Sequence, residues 1–323
     1  MVALSILDIV PVPEGYTPGE ALRRSLCLAR KAEEWGYRRY WIAEHHNMIG
    51  AAGAATGTVV GYIAGGTQTI RVGAGGIMLP NHAPLVVAEQ FGTLESLYPG
   101  RIDLGLGRAP GTDAITAQAL RRDPARAGAF ADEVLELQGF LAPSRVGQVV
   151  EAVPGAGLSL PLWILGSSDS GARTAATLGL PFAFASHFAP SGLLKALQVY
   201  RDEFQPSQQC REPYTLLGVN VVIADTNEEA EWQFTSIQQR FLNIVRGQPK
   251  RLPAPADMSS RWSKEEQLRV SEMLKYSFVG TLETVREKLA EFIDHTQPDE
   301  LIVSATLFDA DARLRSYEHL AQI

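Results

Sequence analysis

Cysteine is scarce in this sequence: Cys27 and Cys210 are the only two among 323 residues. Two cysteines are too few for the disulfide framework that stabilises many small secreted domains. The N-terminal residues lead directly into an apolar run and contain neither a basic region nor a small-residue cleavage site, so nothing indicates export. We therefore expect reduced thiols and a cytoplasmic protein.

An excess of positive charge is also absent, since 29 lysines and arginines stand against 36 acidic residues and the net charge is −7. This balance provides no general attraction to phosphate backbones or anionic lipids, so we expect no nucleic acid and no membrane partner. The uncharged run from Asn47 to Ile70 is long enough to span a bilayer. Its six glycines and four threonines make it too weakly apolar, and a buried helix explains it better.

Apolar runs of strand length alternate with helical periodicities along the chain, a pattern typical of parallel sheets with crossover helices. The first helix shows this periodicity as a stripe of Leu22, Leu26, Ala29 and Ala32. Eight strands are predicted over residues 4–10, 39–43, 70–74, 102–106, 160–165, 182–186, 216–224 and 300–305. Helices are predicted near residues 54–65, 84–97, 128–141, 170–178, 191–204 and 227–246, with a late one around 282–292.

Eight strands separated by helices, with right-handed crossovers, favour a closed (β/α)8 TIM barrel that forms a single domain over residues 1–323. A doubly wound open sheet is the alternative, but its G-x-G-x-x-G fingerprint does not follow the first strand. The sequence has no internal repeat. One segment, residues 247–275, interrupts the alternation with three prolines and a short helical stretch. Such a long connection is either an active-site lid or a solvated insertion.

The active site of such a barrel lies at the carboxyl ends of its strands. The first predicted strand carries an aspartate and the others end at polar or glycine-rich positions, all of which should converge on one chamber. These positions are Asp8, Glu44-His45-His46, Gly75-Gly76, Gly107-Arg108, the turn from Gly166 through Ser167 and Ser168 to Ser170, and His187.

Adjacent imidazoles at His45 and His46 point to opposite sides of a strand, so only one of them can enter the chamber. Two histidines that are satisfied by neighbouring loops are the alternative explanation. A metal site is less favoured. His82 and His187 could add ligands, but no H-x-H or H-E-x-x-H spacing occurs, and we predict no metal.

The turn that contains Gly166, Ser167 and Ser168 lies between a strand and a helix, where backbone N–H groups and hydroxyls can hold a phosphate. An ordinary helix N-cap is the alternative. Arg108 is the natural counter-charge, because a guanidinium binds phosphate through two parallel hydrogen bonds; a surface ion pair would be its other role. Gly75-Gly76 allows the backbone to approach a flat ligand, although glycines are also common at barrel bends.

Several motifs in this order resemble those of the bacterial luciferase-like flavin monooxygenase family, and the single-chain luciferase-like oxidoreductases in particular. The resemblance spans nearly the whole chain. It depends on the segments WIAEHHN at 41–47, VGAGGIMLP at 72–80, GRIDLGLGR at 100–108, WILGSS at 163–168 and GLPFA at 179–183.

The resemblance implies a barrel that binds FMN, with a non-prolyl cis peptide, here Gly75-Gly76, beneath the isoalloxazine ring. The family's catalytic histidine corresponds to His45 and its flavin-contacting carboxylate to Glu44. Arg108 with the turn at Gly166, Ser167 and Ser168 corresponds to the phosphate site. The strand-end residues Asp8, Ala43 and His187 complete the expected cofactor environment. Luciferase has a reactive cysteine at the position of Gly107 and needs a partner subunit, so light emission is not implied.

The implied reaction is that of a monooxygenase, in which reduced FMN and O₂ form a C4a-peroxyflavin that oxygenates a small organic substrate. His45 would donate or accept a proton near the peroxide. Because no nicotinamide motif is present, a separate NAD(P)H:flavin reductase is expected to supply reduced FMN, and a homodimer is a family expectation. The alternatives are an F420-dependent oxidoreductase, a non-catalytic flavin-binding protein and, last, a metal-dependent barrel hydrolase.

Overall fold

A computed structural model of the chain describes residues 2–109, 112–122 and 128–323. Within these residues, nine strands form one parallel sheet. Their bounds are β1 Ala3–Asp8, β2 Arg39–Ile42, β3 Arg71–Met78, β4 Ile102–Gly107, β5 Leu162–Gly166, β6 Phe182–Phe184, β7 Thr215–Ile223, β8 Ser277–Gly280 and β9 Glu300–Ser304. Strands β1 to β7 pair in sequence, β7 pairs with β9, and β9 returns to β1. The eight-stranded ring confirms the predicted (β/α)8 barrel.

Helices surround this ring. Their bounds in the described residues are α1 Pro18–Glu34, α2 Thr56–Gly65, α3 Pro84–Leu97, α4 Ala114–Ala119, α5 Phe130–Leu141, α6 Asp169–Leu178, α7 Leu193–Glu203, α8 Asn227–Val245, α9 Lys264–Met273, α10 Leu282–Thr296 and α11 Ala310–Leu320. The start of α1 follows from local sequence, because Thr17 and Glu20 form a capping box around Pro18. None of the helices in the described ranges is long and apolar enough to cross a membrane.

Two features of the sheet differ from the sequence prediction. β3 continues through Gly75 and Gly76 instead of ending before them, and its register with β4 shifts between Ala74 and Ile77. The additional strand β8 pairs only with the end of β7 and lies outside the ring. Asn220 of β7 pairs with a residue of β9 at one edge of the strand and with a residue of β8 at the other. The edge that pairs with β8 is therefore the one that pairs with β6 nearer the start of β7.

Residues 247–275 are packed over part of their length. The backbone of Leu252 exchanges hydrogen bonds with Val12 and Glu14 in the loop after β1. Met258, Val270 and Leu274 are buried in a cluster with apolar side chains of α8. The segment therefore lies against α8 and the first loop, and its helix α9 corresponds to the predicted short helical stretch.

A buried ion network closes the end of the barrel at which the strands begin. Arg39, at the start of β2, contacts Asp103 of β4 at 2.7 Å and Glu300 of β9 at 2.7 Å. All three side chains are buried. Because this end is filled by charged groups and by the Trp41–Trp163 edge contact above them, an open chamber can only form at the other end.

Candidate active site

A cavity of about 460 Å³ lies at the carboxyl ends of the strands, the end at which TIM-barrel active sites occur. Its size is within the range of small-molecule and cofactor sites. Leu7, Trp41 and Gly75 contribute to the part nearest the barrel interior. Other lining residues include Ala43, His45, Arg108, Gly166, Ser167, Ser168, Ser170, His187, Phe188, Asn220, Ile237, Arg240, Phe241, Ile244, Met273 and Ser304. The cavity is thus mainly apolar, with a few polar groups.

His45 is the imidazole of the adjacent pair that enters this cavity. Ala43 and His45 line it, whereas Glu44 and His46 do not, as expected when alternate side chains point to opposite sides. The Nδ1 atom of His45 is buried and has no hydrogen-bond partner in the described part of the chain. Burial, together with the positive charge of Arg240, lowers the pKa of His45 to about 4. Its imidazole is therefore neutral near pH 7.

Glu44 lies behind the cavity wall. Its carboxylate contacts His46 Nε2 at 2.7 Å and His82 Nε2 at 3.0 Å, and accepts a hydrogen bond from the Met78 N–H at 3.1 Å. Burial raises the pKa of Glu44, but the hydrogen bonds and charge of His82 and the bond from His46 hold it below its ordinary value. An ionised carboxylate only accepts, so both Nε2 atoms carry hydrogen.

The sequence predicts that Glu44 contacts the flavin, or that it orients the flavin or His45. The structure places its carboxylate between two loops, in contact with His46 and His82. The ligand atoms of Glu44, His46 and His82 lie within 4.8 Å of one another, a spacing that could hold a metal ion. Hydrogen bonding between the imidazoles and the carboxylate already accounts for this arrangement.

Asp8 also lies away from the cavity, which corrects its placement among the chamber residues. Its neighbours Leu7 and Ile9 line the cavity, so strand alternation directs Asp8 toward the helices. There it forms an ion pair with Arg313 of α11 at 2.8 Å and accepts hydrogen bonds from Ser25 and Tyr40. These partners engage both oxygens of the Asp8 carboxylate outside the cavity.

The turn after β5 has the features of an anion site. Arg108 Nη1 donates to Ser170 Oγ at 3.1 Å, at the N-terminus of α6. Ser168 occupies the N-cap position, but its side chain makes no capping hydrogen bond. The Asp169 carboxylate pairs with Lys195 at 2.9 Å. The turn therefore presents uncommitted hydroxyls and a guanidinium to the cavity without a competing carboxylate.

Gly75 and Gly76 are joined by a cis peptide bond, as the resemblance implied. A Cβ atom on Gly75 would lie 2.8 Å from Leu7 Cδ1 and 2.9 Å from Trp41 Cε3. On Gly76 it would lie 2.7 Å from the Gly105 carbonyl oxygen. Only Gly75 lines the cavity, so the backbone surface expected for a flat ligand is present at one of the two glycines.

His187 also lines the cavity, in the loop after β6. Its Nδ1 atom is buried without a hydrogen-bond partner in the described residues, and a Cβ on Gly218 would lie 2.3 Å from that nitrogen. Burial and the charge of Arg240 lower the pKa of His187 to about 3. His187 is therefore a second neutral imidazole at the cavity, held closely against the backbone of β7.

Sequence reasoning missed Arg240, which lines the cavity from α8. A signal was present, because Ile237, Arg240, Phe241 and Ile244 follow the i, i+3, i+4, i+7 spacing of one helix face. A cation within an otherwise apolar stripe is unusual and should draw attention to that helix.

Known proteins are similar to this chain over its full length. The model of the luciferase-like monooxygenase family matches residues 3–296. A luciferase-like monooxygenase of Escherichia coli (strain K12) is 50% identical over 319 residues, covering 98% of this chain and 95% of that protein. N-acetyl-S-alkylcysteine monooxygenase of Bacillus subtilis (strain 168) is 33% identical, covering 99% and 98%. The crystal structure of apo-MsnO8 is 35% identical, with a TM-score of 0.89 and coverage of 100% and 98%.

More distant structures share the fold and hold different cofactors. The oxygenating constituent of 3,6-diketocamphane monooxygenase from Pseudomonas putida, in complex with FMN, has a TM-score of 0.73 at 16% identity, covering 99% of this chain and 97% of that one. An F420-dependent secondary alcohol dehydrogenase with an F420-acetone adduct has a TM-score of 0.69 at 15% identity, covering 98% and 97%. The family match and the full-length relatives show that the chain belongs to the luciferase-like monooxygenase family, whose members are oxidoreductases.

Proposed function

We propose that this protein is a monooxygenase that uses reduced FMN and O₂ to oxygenate a small organic substrate. The observation that carries this proposal is the composition of one cavity. It combines an anion-binding turn at Arg108 and Ser170, a bare backbone surface at Gly75 and, at His45, a neutral imidazole whose Nδ1 atom has no hydrogen-bond partner in the described residues. These features fit the phosphate, the flat ring and the reacting end of a flavin.

The protein's own residues would have distinct tasks. Arg108 and the hydroxyls of Ser167, Ser168 and Ser170 would hold the phosphate, and Gly75 would leave room for the ring. Reduced FMN, when bound, supplies the reaction with O₂. His45 would exchange a proton or a hydrogen bond at the reacting oxygen. Its imidazole is neutral near pH 7, so one ring nitrogen donates and the other accepts. The apolar walls would exclude water.

The test is rapid mixing of the reduced-FMN complex with oxygen, followed by absorbance and by the yield of hydrogen peroxide. We expect reoxidation whose time course differs from that of free FMN, and incorporation of ¹⁸O into a product once a substrate is supplied. Reoxidation at the rate of free FMN, with full release of peroxide under all conditions, would favour a flavin-binding protein without turnover.

A second candidate is an F420-dependent oxidoreductase, because the same anion-binding turn would accept the phosphate of a deazaflavin. An F420 enzyme shares this fold. Titration of the protein with F420 and with FMN, each followed by its own absorbance, distinguishes the candidates. Tight binding of F420 together with weak binding of FMN would contradict the FMN-dependent monooxygenase and support the F420-dependent oxidoreductase.

Reduced FMN would come from a separate NAD(P)H:flavin reductase, which we propose as the functional partner. The protein alone should then consume no NADH in the presence of FMN, and addition of a flavin reductase should restore oxygen uptake. We also propose a homodimer, which sedimentation analysis of the purified protein would test.

Arg108→Ala is expected to weaken FMN binding roughly 10- to 100-fold, the usual effect of losing a charge-assisted hydrogen bond. Riboflavin, which has no phosphate, should lose little affinity. Dissociation constants of both ligands can be measured by flavin fluorescence. Arg173→Ala is the matched control, because Arg173 lies on α6 but pairs with Glu203 away from the cavity. Equal losses for FMN and riboflavin would remove Arg108 from the phosphate site.

We expect residues 247–275 to act as a lid, because they pack on α8, and Met273 within them lines the cavity. Trypsin should cleave after the exposed Lys250 and Arg261 more slowly when FMN is bound. Cleavage after Arg145, in an exposed loop elsewhere, serves as the control. Unchanged rates at Lys250 and Arg261 would mean that the segment is a static insertion.

A further inference from the structure

Arg240 is a cation without a counter-charge in the described structure. It is partly buried and lines the cavity. No ion pair or hydrogen bond links it to any described residue, whereas Arg39 and Arg313 each bind buried carboxylates. Withdrawing an unpaired charge from water is costly, so such a group is retained where it gains a partner.

The cavity as a whole has an excess of positive charge. Its described lining contains two arginines, Arg108 and Arg240, and no aspartate or glutamate. His45 and His187 are both neutral near pH 7, because burial lowers their pKa values to about 4 and about 3. This cavity belongs to a protein whose net charge is −7. Its local charge therefore points to anionic ligands.

The two arginines lie on different parts of the wall. Arg108 is bound to Ser170 beside the turn after β5, where the phosphate of FMN is proposed to lie. Arg240 projects from α8, and it acts electrostatically on His45 and His187. One phosphate at the turn would leave Arg240 still unpaired.

We propose that Arg240 binds the anionic group of the substrate, so that the substrate is an organic carboxylate or sulfonate with an apolar body. The binding of this ligand does not depend on the proposed function. Only the statement that the bound ligand is then oxygenated rests on it. The planar guanidinium matches the paired oxygens of such groups. Ile237, Phe241, Ile244 and Met273 line the same cavity with apolar surface, which suits the remainder of the molecule.

The test compares octanoate with its neutral analogue octanamide, titrated calorimetrically into the FMN-loaded protein. Octanoate should bind at least 10-fold more tightly, and Arg240→Met should abolish this preference while retaining the apolar length of the side chain. Arg246→Met is the matched control, because Arg246 is the C-cap residue of the same helix but pairs with Glu266 at the surface. It should leave the preference unchanged.

Stability gives a second measurement. Without ligand, Arg240→Met should melt at the same temperature as the wild-type protein or above it, since it removes an unpaired, partly buried charge. Octanoate should raise the melting temperature of the wild type and of Arg246→Met, but not that of Arg240→Met. Equal binding of octanoate and octanamide by the wild type overturns the proposal. So does a loss of FMN but not riboflavin affinity in Arg240→Met, which would make Arg240 a phosphate ligand.

Failure of the proposed function is distinguishable from failure of this inference. A protein that shows the octanoate preference but reoxidises reduced FMN at the free rate would retain the anion site and lose the monooxygenase assignment. A protein that reacts with oxygen as expected but binds both probes equally would retain the monooxygenase assignment and lose the anion site.

Discussion

Replacement of His45 by alanine should slow substrate oxygenation by roughly 10²- to 10⁴-fold, the range usually attributed to a general acid or base. FMN affinity should change only a few-fold, because the expected phosphate contacts come from Arg108 and the turn after β5. Before a substrate is known, peroxide release by the reduced-FMN complex can be measured instead. We expect faster release once the imidazole is removed.

His46→Ala is the matched control for this variant. His46 contacts the Glu44 carboxylate and does not line the cavity, so its loss should leave the peroxide release rate near that of the wild type. The opposite result, with only His46→Ala accelerating release, would show that the other imidazole acts in the reaction.

The pH dependence follows from the lowered pKa of His45, about 4. Its imidazole should stay neutral throughout the range from pH 6 to 8, so its titration should cause no break in the rate near the ordinary histidine value. A clear break near pH 6.5 that disappears in His45→Ala would contradict this electrostatic environment.

Arg313→Met should lower the free energy of unfolding by about 3–5 kcal/mol, the usual cost of breaking a buried ion pair. The substitution leaves the Asp8 carboxylate buried with only hydroxyl and N–H partners. Urea unfolding followed by circular dichroism measures the loss. Arg315→Met, on the exposed side of the same helix, is the control and should change the stability little.

The pKa of Asp8 also predicts how the free energy of unfolding should vary with pH in the wild type and in Arg313→Met. Burial raises the pKa of Asp8, but Arg313, Ser25 and Tyr40 hold it below its ordinary value of 3.8. The wild-type pair therefore stabilises the fold above pH 4, and this contribution disappears as the pH falls below that value. In Arg313→Met the unpaired carboxyl should instead have a raised pKa. Its destabilising effect should then grow as the pH increases, and a pH-independent loss would argue against the ion pair as its source.

The barrel was predictable because its strands are buried on both faces and appear as apolar runs. All eight ring strands were located from such runs. β8 was missed, since Ser277–Gly280 is too short for a period to be visible and pairs only beyond the ring. The short α4 and the final α11 were not predicted either, because neither has a long apolar stripe.

The site was predicted less evenly than the fold. Strand alternation predicts that only one of His45 and His46 enters the cavity, and the family resemblance selects His45, which lines it. Strand alternation was not applied to Asp8, whose neighbours Leu7 and Ile9 line the cavity instead. Arg240 could not be found from strand ends, because a helix brings it to the cavity. Arg240 matters because no aspartate or glutamate is among the described residues that line the cavity with it. Only the three-dimensional structure shows this.

The order in which the chain supplies the cavity wall has a consequence for how new specificities could arise. The proposed flavin contacts come from residues before position 190, whereas Arg240 and its apolar neighbours come from α8 and Met273. Recombination near residue 215 between two members of the family would exchange the substrate contacts and keep the cofactor contacts together. We expect such chimaeras to retain FMN while adopting the ligand preference of the parent that contributes the segment after the junction.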